Sequence, residues 1–142
     1  MIPYVTFKDP RAAIALYEKA LGATTHFVMD GPDGMVMHAE LGISGNRFML
    51  SSEWPGMAEA PSGRSPVNFM LYVDNVDEAF THAVASGMTA VAEPKDEFWG
   101  DRNARVDDGH GYEWTLAQHV EDVSEEELAR RVAVFAEEAG SD

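Results

Sequence analysis

A chain of 142 residues, 45% hydrophobic and 25% charged, has the balance of one globular domain with a core of its own. It has no cysteine, which excludes disulfides, thiolate metal sites and a cysteine nucleophile, and no apolar run approaches the roughly 20 residues that cross a bilayer. A net charge of −15 repels nucleic-acid phosphates and anionic membranes, so neither is expected as a partner. The same charge favours cationic ligands, although a solvated, salt-adapted surface explains it as well. Only part of it is local, since residues 121–142 hold eight acids against two arginines. The N-terminus lacks the basic region and apolar run of a signal peptide, so cytoplasmic residence is expected.

Residues 3–7, Pro-Tyr-Val-Thr-Phe, form a short β-branched and aromatic run that predicts a strand. Asp9-Pro10 then supplies an N-cap and a first-turn proline. Ala13, Leu16, Tyr17, Ala20 and Leu21 recur at helical spacing, and Gly22 is the expected stop. Residues 24–30, the turn Gly31-Pro32-Asp33-Gly34 and residues 35–43 predict a hairpin, and Gly45-Asn46 leads into a further strand over 47–53. Residues 54–66, rich in proline and glycine, predict a linker. The plan then repeats. A strand is predicted over 67–73, and Asn75 with Glu78 caps a second helix. Ala79, Phe80, Ala83 and Val84 form its apolar stripe, and Gly87 ends it. Strands follow over 89–93, 104–107 and 113–118, with a turn at Gly109-His110-Gly111. Ser124-Glu125-Glu126-Glu127 is a capping box opening an amphipathic helix with Leu128, Val132 and Phe135 on one side.

Side chains alternate faces along a strand, so parity predicts which row meets a helix. Met35, Met37, Ala39 and Leu41 are expected on the helix side, with Val36, His38 and Glu40 opposite. Val67, Phe69, Leu71 and Val73 are likewise expected to pack, leaving Asn68, Met70 and Tyr72; in the last strand Trp114 and Leu116 pack, leaving Glu113 and Thr115. A semi-polar row on each sheet is what a ligand site requires.

Pro3-Tyr4-Val5 with residues 13–22, Val36 to Leu41, Leu71 to Asp74, Phe98-Trp99-Gly100-Asp101-Arg102, Gly111 to Trp114 and His119 to Ser124 together resemble the vicinal oxygen chelate superfamily of glyoxalases, bleomycin-resistance proteins and extradiol dioxygenases, and within it the PhnB-like branch. The resemblance implies an α+β fold of two βαβββ modules, residues 1–53 and 67–118, forming curved, mainly antiparallel sheets around a cleft. Residues 119–142 would add an acidic C-terminal helix to this single domain. It implies a homodimer, because relatives complete or flank the cleft with a second subunit.

Metal-using relatives hold a divalent ion with His and Glu from the first, fourth, fifth and eighth strands. The matching positions here are Ile2, Met49, Asn68 and Thr115, which are poor ligands for such an ion, so no metal or other cofactor is expected. A metal-dependent lyase or dioxygenase is the less favoured reading. The expected function is metal-independent binding of a small organic ligand, by an enzyme acting on a metabolite or by a drug-sequestering protein of the bleomycin-binding type.

The cleft is expected to be lined by Tyr4, Thr6, His38, Glu40, Met49, Ser51, Asn68, Met70, Tyr72, Trp99, Arg102 and Thr115. His38 and Glu40, two apart on one strand face, read as an acid–base group with its orienting partner or as a structural hydrogen-bonded pair. Trp99 beside Arg102 suits a planar or anionic ligand, although Arg102 could equally hold its loop through Asp101 or Asp107. His26, His82 and His119 read as surface or satisfied polar residues, and His110 as part of a turn.

Overall fold

Capping side chains open each helix as their residue types dictate. The computed structural model describes residues 1–141. Strand β1 (Tyr4–Phe7) is followed by α1 (Pro10–Leu21), where the Asp9 carboxylate accepts the Ala12 N–H at 3.1 Å. Gly22 ends α1 in the left-handed region, φ 65°, where a side chain would be strained. Three strands follow, β2 (Thr24–Asp30), β3 (Val36–Ile43) and β4 (Asn46–Ser52). The second half repeats the order with β5 (Phe69–Tyr72), α2 (Val76–Ala85), β6 (Thr89–Asp96), β7 (Asp101–Asp107) and β8 (Glu113–His119). Asn75 caps α2 through the Glu78 N–H at 3.1 Å. Ser124 caps α3 (Glu125–Gly140) through the Glu127 N–H, also at 3.1 Å.

The two halves make two four-stranded sheets of equivalent order, β1-β4-β3-β2 and β5-β8-β7-β6. In each, the first and last strands of the module pair in parallel and the other pairs are antiparallel. This is the expected α+β architecture of two βαβββ modules with a C-terminal helix.

One core joins the modules. Phe7, Leu41 and Leu50 from the first sheet, Tyr17 from α1, Val76 from α2, and Val106 and Leu116 from the second sheet are all below 2% exposed. The rings of Phe48, Phe69 and Trp114 interlock across the module boundary, with Phe69 and Trp114 centroids 4.8 Å apart. Two hydrogen bonds cross the same boundary. The buried Tyr17 hydroxyl donates to Asp108, and Tyr112 donates to the Thr6 carbonyl at 2.9 Å. Burial and the Asp108 carboxylate push the Tyr17 phenol far above its ordinary range, so it stays a donor.

Two parity expectations are corrected. Val36 is fully buried, whereas Met37 is 38% exposed. The β2–β3 ladder pairs Met29 with His38 but Asp30 with Val36, and that bulge turns Met37 out of the helix-facing row. Val67, expected to pack, is 57% exposed because β5 starts only at Phe69.

Candidate functional site

The outward row of the first sheet assembles most of the expected residues. Tyr4, Met49 and Glu40 stand side by side across β1, β4 and β3, and Thr6 stands beside Ser51. Tyr4 is 55% exposed, and its hydroxyl lies 2.8 Å from His38 Nδ1. The Tyr4 and His38 rings are 5.4 Å apart, and Phe27 lies 6.2 Å from His38 on the other side. Tyr4 therefore fixes the imidazole orientation. With the phenol donating to Nδ1, the ring proton sits on Nε2, which becomes a donor. With Nδ1–H donating to the phenol oxygen, Nε2 becomes a base. Among the described residues, Nε2 has no hydrogen-bond partner.

Glu40 does not orient His38. Arg47 takes it instead, through Nε at 2.8 Å and Nη2 at 2.7 Å. Glu40 is thus paired with Arg47, and the side chain hydrogen-bonded to His38 is Tyr4. Ser51 is buried, and its hydroxyl donates to the Ser52 carbonyl at 3.1 Å.

Sequence reasoning missed the wall that this row leans on. Trp54 and Ala58 close a turn by an isolated β-bridge, within the segment expected to be only a linker. With Tyr4, Met37 and Ser51, that turn encloses an apolar recess of about 360 Å³, to which Trp54 and Met57 also contribute. Trp54 is 39% exposed and Met57 83%. The proline- and glycine-rich composition of 54–66 disguised a Trp and a Met that line this recess.

Met70, Tyr72 and Thr115 lie on the second sheet, with Met70 beside Thr115 and Thr115 beside Arg105. Arg105 binds the buried Glu113 at 3.0 Å, and Arg64 binds it from the other side at 2.9 Å. Trp99 is 40% exposed in the turn between β6 and β7. Asn68 precedes β5 and, with Ile2, Arg47 and Met70, lines a separate cavity of about 480 Å³.

Arg102 is corrected. It shares the parity of the buried Ala104 and Val106, and its guanidinium is spent on Asp77 of α2, at 2.8 and 2.9 Å, and on Asp96 at 3.1 Å. These bonds hold the Asp77 carboxyl below its usual range. Arg102 clasps α2 to β6 on the helix side of the sheet, with Asp77 and Asp96 as its partners in place of the expected Asp101 or Asp107.

Tyr72 donates to Asp101 at 2.7 Å, and Asp101 also meets His119 Nδ1 at 3.3 Å; His119 Nε2 lies 2.7 Å from Asp122. Asp122 and then Asp101 raise the His119 pKa above its ordinary 6.5, so the imidazolium is the form these contacts favour. The contribution is full below pH 6.5, while the carboxylates are ionised, and is lost as pH rises through the elevated folded value. A histidine proton titration should therefore place His119 above 6.5, and His119→Gln should abolish that pH dependence of stability. Solvent screening keeps the effect small, because the side chain is 56% exposed.

The residues at the positions where metal-using relatives hold an ion are poor donors here. Ile2 is aliphatic, Met49 offers only a thioether, Asn68 is exposed and Thr115 contributes a neutral hydroxyl; Met49 and Thr115 do not line the cavity that Ile2 and Asn68 share. Among the described residues, no group of three or more His, Asp or Glu could hold a metal ion. This donor set does not fit a hard divalent ion.

Residues 4–116 match the model of the Glyoxalase/Bleomycin resistance protein/Dioxygenase superfamily. The chain belongs to that superfamily. It is 36% identical over 132 residues to the Mycobacterium bovis protein Mb0911c, covering 89% of this chain and 87% of that one. The Mycobacterium tuberculosis protein Rv0887c is also 36% identical, over 89% of this chain and 78% of its own length. Among solved structures, TioX from Micromonospora sp. ML1 superposes with a TM-score of 0.70 at 25% identity, covering 84% of this chain and 98% of that one. The fosfomycin resistance protein FosX of Listeria monocytogenes shares the fold, with a TM-score of 0.67 at 15% identity over 89% of this chain and 94% of its own.

Proposed function

We propose that this member of the superfamily binds a small organic ligand, without a divalent metal, against the outward row of its first sheet. The observation that carries the reading is the Tyr4–His38 hydrogen bond beside the recess under Trp54 and Met57. A largely apolar hollow with a few polar groups, the Tyr4 hydroxyl in its wall and His38 bonded to that hydroxyl, favours a largely apolar ligand with a hydrogen-bonding function. Met37 and Met57 adapt to a shape, Tyr4 and Trp54 offer flat faces, and His38 Nε2 supplies the polar contact. In an enzymatic form, His38 is the acid–base group and the Tyr4 hydroxyl holds its tautomer.

A second reading, a sequestering resistance protein, draws on the net charge of −15, which favours a cationic ligand. Sequestration needs no reaction, only stoichiometric binding that weakens with salt. The ordered motifs around Val36 to Leu41 and Phe98 to Arg102 support placement in the PhnB-like branch. Exposed Tyr4, Phe27 and Met29 on one sheet, and Met70 and Tyr72 on the other, support a homodimer in which a second copy covers part of each row.

A thermal-shift screen of small aromatic and cationic compounds, run with and without divalent ions, tests the proposal. Hits should raise the melting temperature equally in both conditions, since native-state binding stabilises by mass action. Elemental analysis of tag-free protein should find no stoichiometric Ni, Zn, Mn or Fe. About one such ion per chain, or hits that vanish on chelation, would overturn the metal-independent reading.

A further inference from the structure

Asp101 joins the C-terminal segment to the sheet face that carries Tyr72. Its side chain is nearly buried, at 7% exposure, and its two oxygens are divided between the Tyr72 hydroxyl at 2.7 Å and His119 at 3.3 Å. The same segment grips the turn just before Asp101. The Gly100 carbonyl accepts the N–H groups of Val120 and Glu121, both at 3.0 Å. The Phe98 carbonyl accepts Arg131 Nη1 of α3 at 3.0 Å, and the Phe98 ring lies 5.1 Å from Phe135 and 5.0 Å from Trp99. Arg131 is itself held by Glu121 at 2.6 Å and Glu127 at 3.0 Å.

No residue of α3 is buried, so these few contacts, and not a core, hold the helix in place. They converge on two groups with exposed aromatic surface, Trp99 and Tyr72. We propose that residues 119–140 act as a clamp that positions Trp99 and Tyr72, with Arg131 and Asp101 as its positioning residues. The segment lies beyond residues 4–116 that match the superfamily model, while the turn and the Tyr72 strand that it grips lie within them. Its value to function rests on the sequence expectation that Tyr72 and Trp99 also line the cleft, beside the first-sheet row proposed above. A guanidinium that bonds one carbonyl and two carboxylates at once fixes the turn in a way a single ammonium cannot. A helix that merely shielded the end of the sheet would affect Phe98 and Trp99 and leave Tyr72 alone.

The test uses the full chain, labelled for NMR, with Arg131→Ala and Arg131→Lys. Arg131→Ala should shift both the Trp99 indole and the Tyr72 ring signals while those of Tyr4 and His38 stay in place. Arg131→Lys should shift them in the same direction by less. Melting temperatures of Arg131→Ala, Tyr72→Phe and the double variant should be non-additive, the double losing less than the sum of the singles. Unmoved Tyr72 signals, additive losses, or global unfolding of Arg131→Ala would each overturn the clamp. No ligand enters the experiment, so a failed ligand screen removes the proposed function alone, and an unmoved Tyr72 removes the clamp alone.

Discussion

Asp108→Ala should lower stability by about 3 kcal/mol, roughly 10 °C in melting temperature for a domain of this size, without touching either sheet's outward row. The side chain is 3% exposed and serves three donors. One oxygen accepts the N–H groups of His110 at 2.8 Å and Tyr112 at 3.1 Å, which shapes the turn into β8. The other accepts the Tyr17 hydroxyl, which links α1 of the first module to that turn. Alanine would leave the buried phenol and two turn amides without this partner, and an orphaned buried donor costs more than a made hydrogen bond contributes. Tyr17→Phe should cost about half as much, since it removes one of the three bonds and leaves the turn intact. Urea unfolding of both variants checks the ratio. Equal, sub-kilocalorie effects would show that the aromatic cluster alone joins the modules.

Gly100→Ala should be of similar size, about 2–4 kcal/mol, and should displace the C-terminal segment as well. Gly100 sits at φ 104°, a conformation that side chains rarely adopt, and an added Cβ would run into the Glu121 carbonyl oxygen and press on Val123. The obstruction is backbone, so it cannot be relieved by rotating a side chain. The two N–H bonds to the Gly100 carbonyl and the Arg131 contact to Phe98 should be lost together. Loss of protection of the Val120 and Glu121 amides in hydrogen exchange, along with the lower melting temperature, is the expected signature. A fully stable, fully protected Gly100→Ala would contradict the packing described.

Most of the fold was legible in the sequence because its boundaries rest on local chemistry. Asp9, Asn75 and Ser124 each accept the N–H three residues on, and Gly22 takes the left-handed turn that its position requires. Repetition of strand, cap and helix then exposed the duplicated module. Rows were harder to read, because one irregularity reverses every residue beyond it. Nothing in Met35-Val36-Met37-His38 announces the bulge that buries Val36 and releases Met37. Arg102 reads from the sequence as a loop residue, with Asp101 or Asp107 as its alternative partner, for a related reason. The strand expected at 104–107 starts at Asp101, and extending it places Arg102 with Ala104 and Val106.

The candidate site was half legible. Parity identified Tyr4, His38, Glu40, Met49 and Ser51 as one row, but side-chain partnerships depend on reach across strands. Arg47 sits seven residues from Glu40 and takes it away from His38, while Tyr4, on β1, comes to His38 from a distant part of the chain. The Asp101–His119–Tyr72 network was hidden for the same reason, since its members come from β5, β7 and β8 and no short motif links them.

The central claim, that the Tyr4–His38 row binds the ligand unaided by metal, is tested most directly by calorimetric titration of a thermal-shift hit into wild-type protein and His38→Ala, both in excess chelator. Wild type should bind, and His38→Ala should bind at least about tenfold more weakly, the loss of roughly one hydrogen bond, while melting within about 2 °C of wild type. Undiminished affinity in His38→Ala together with a clear fall in melting temperature would show the pair to be scaffold, and binding abolished by the chelator alone would show that a metal carries the site.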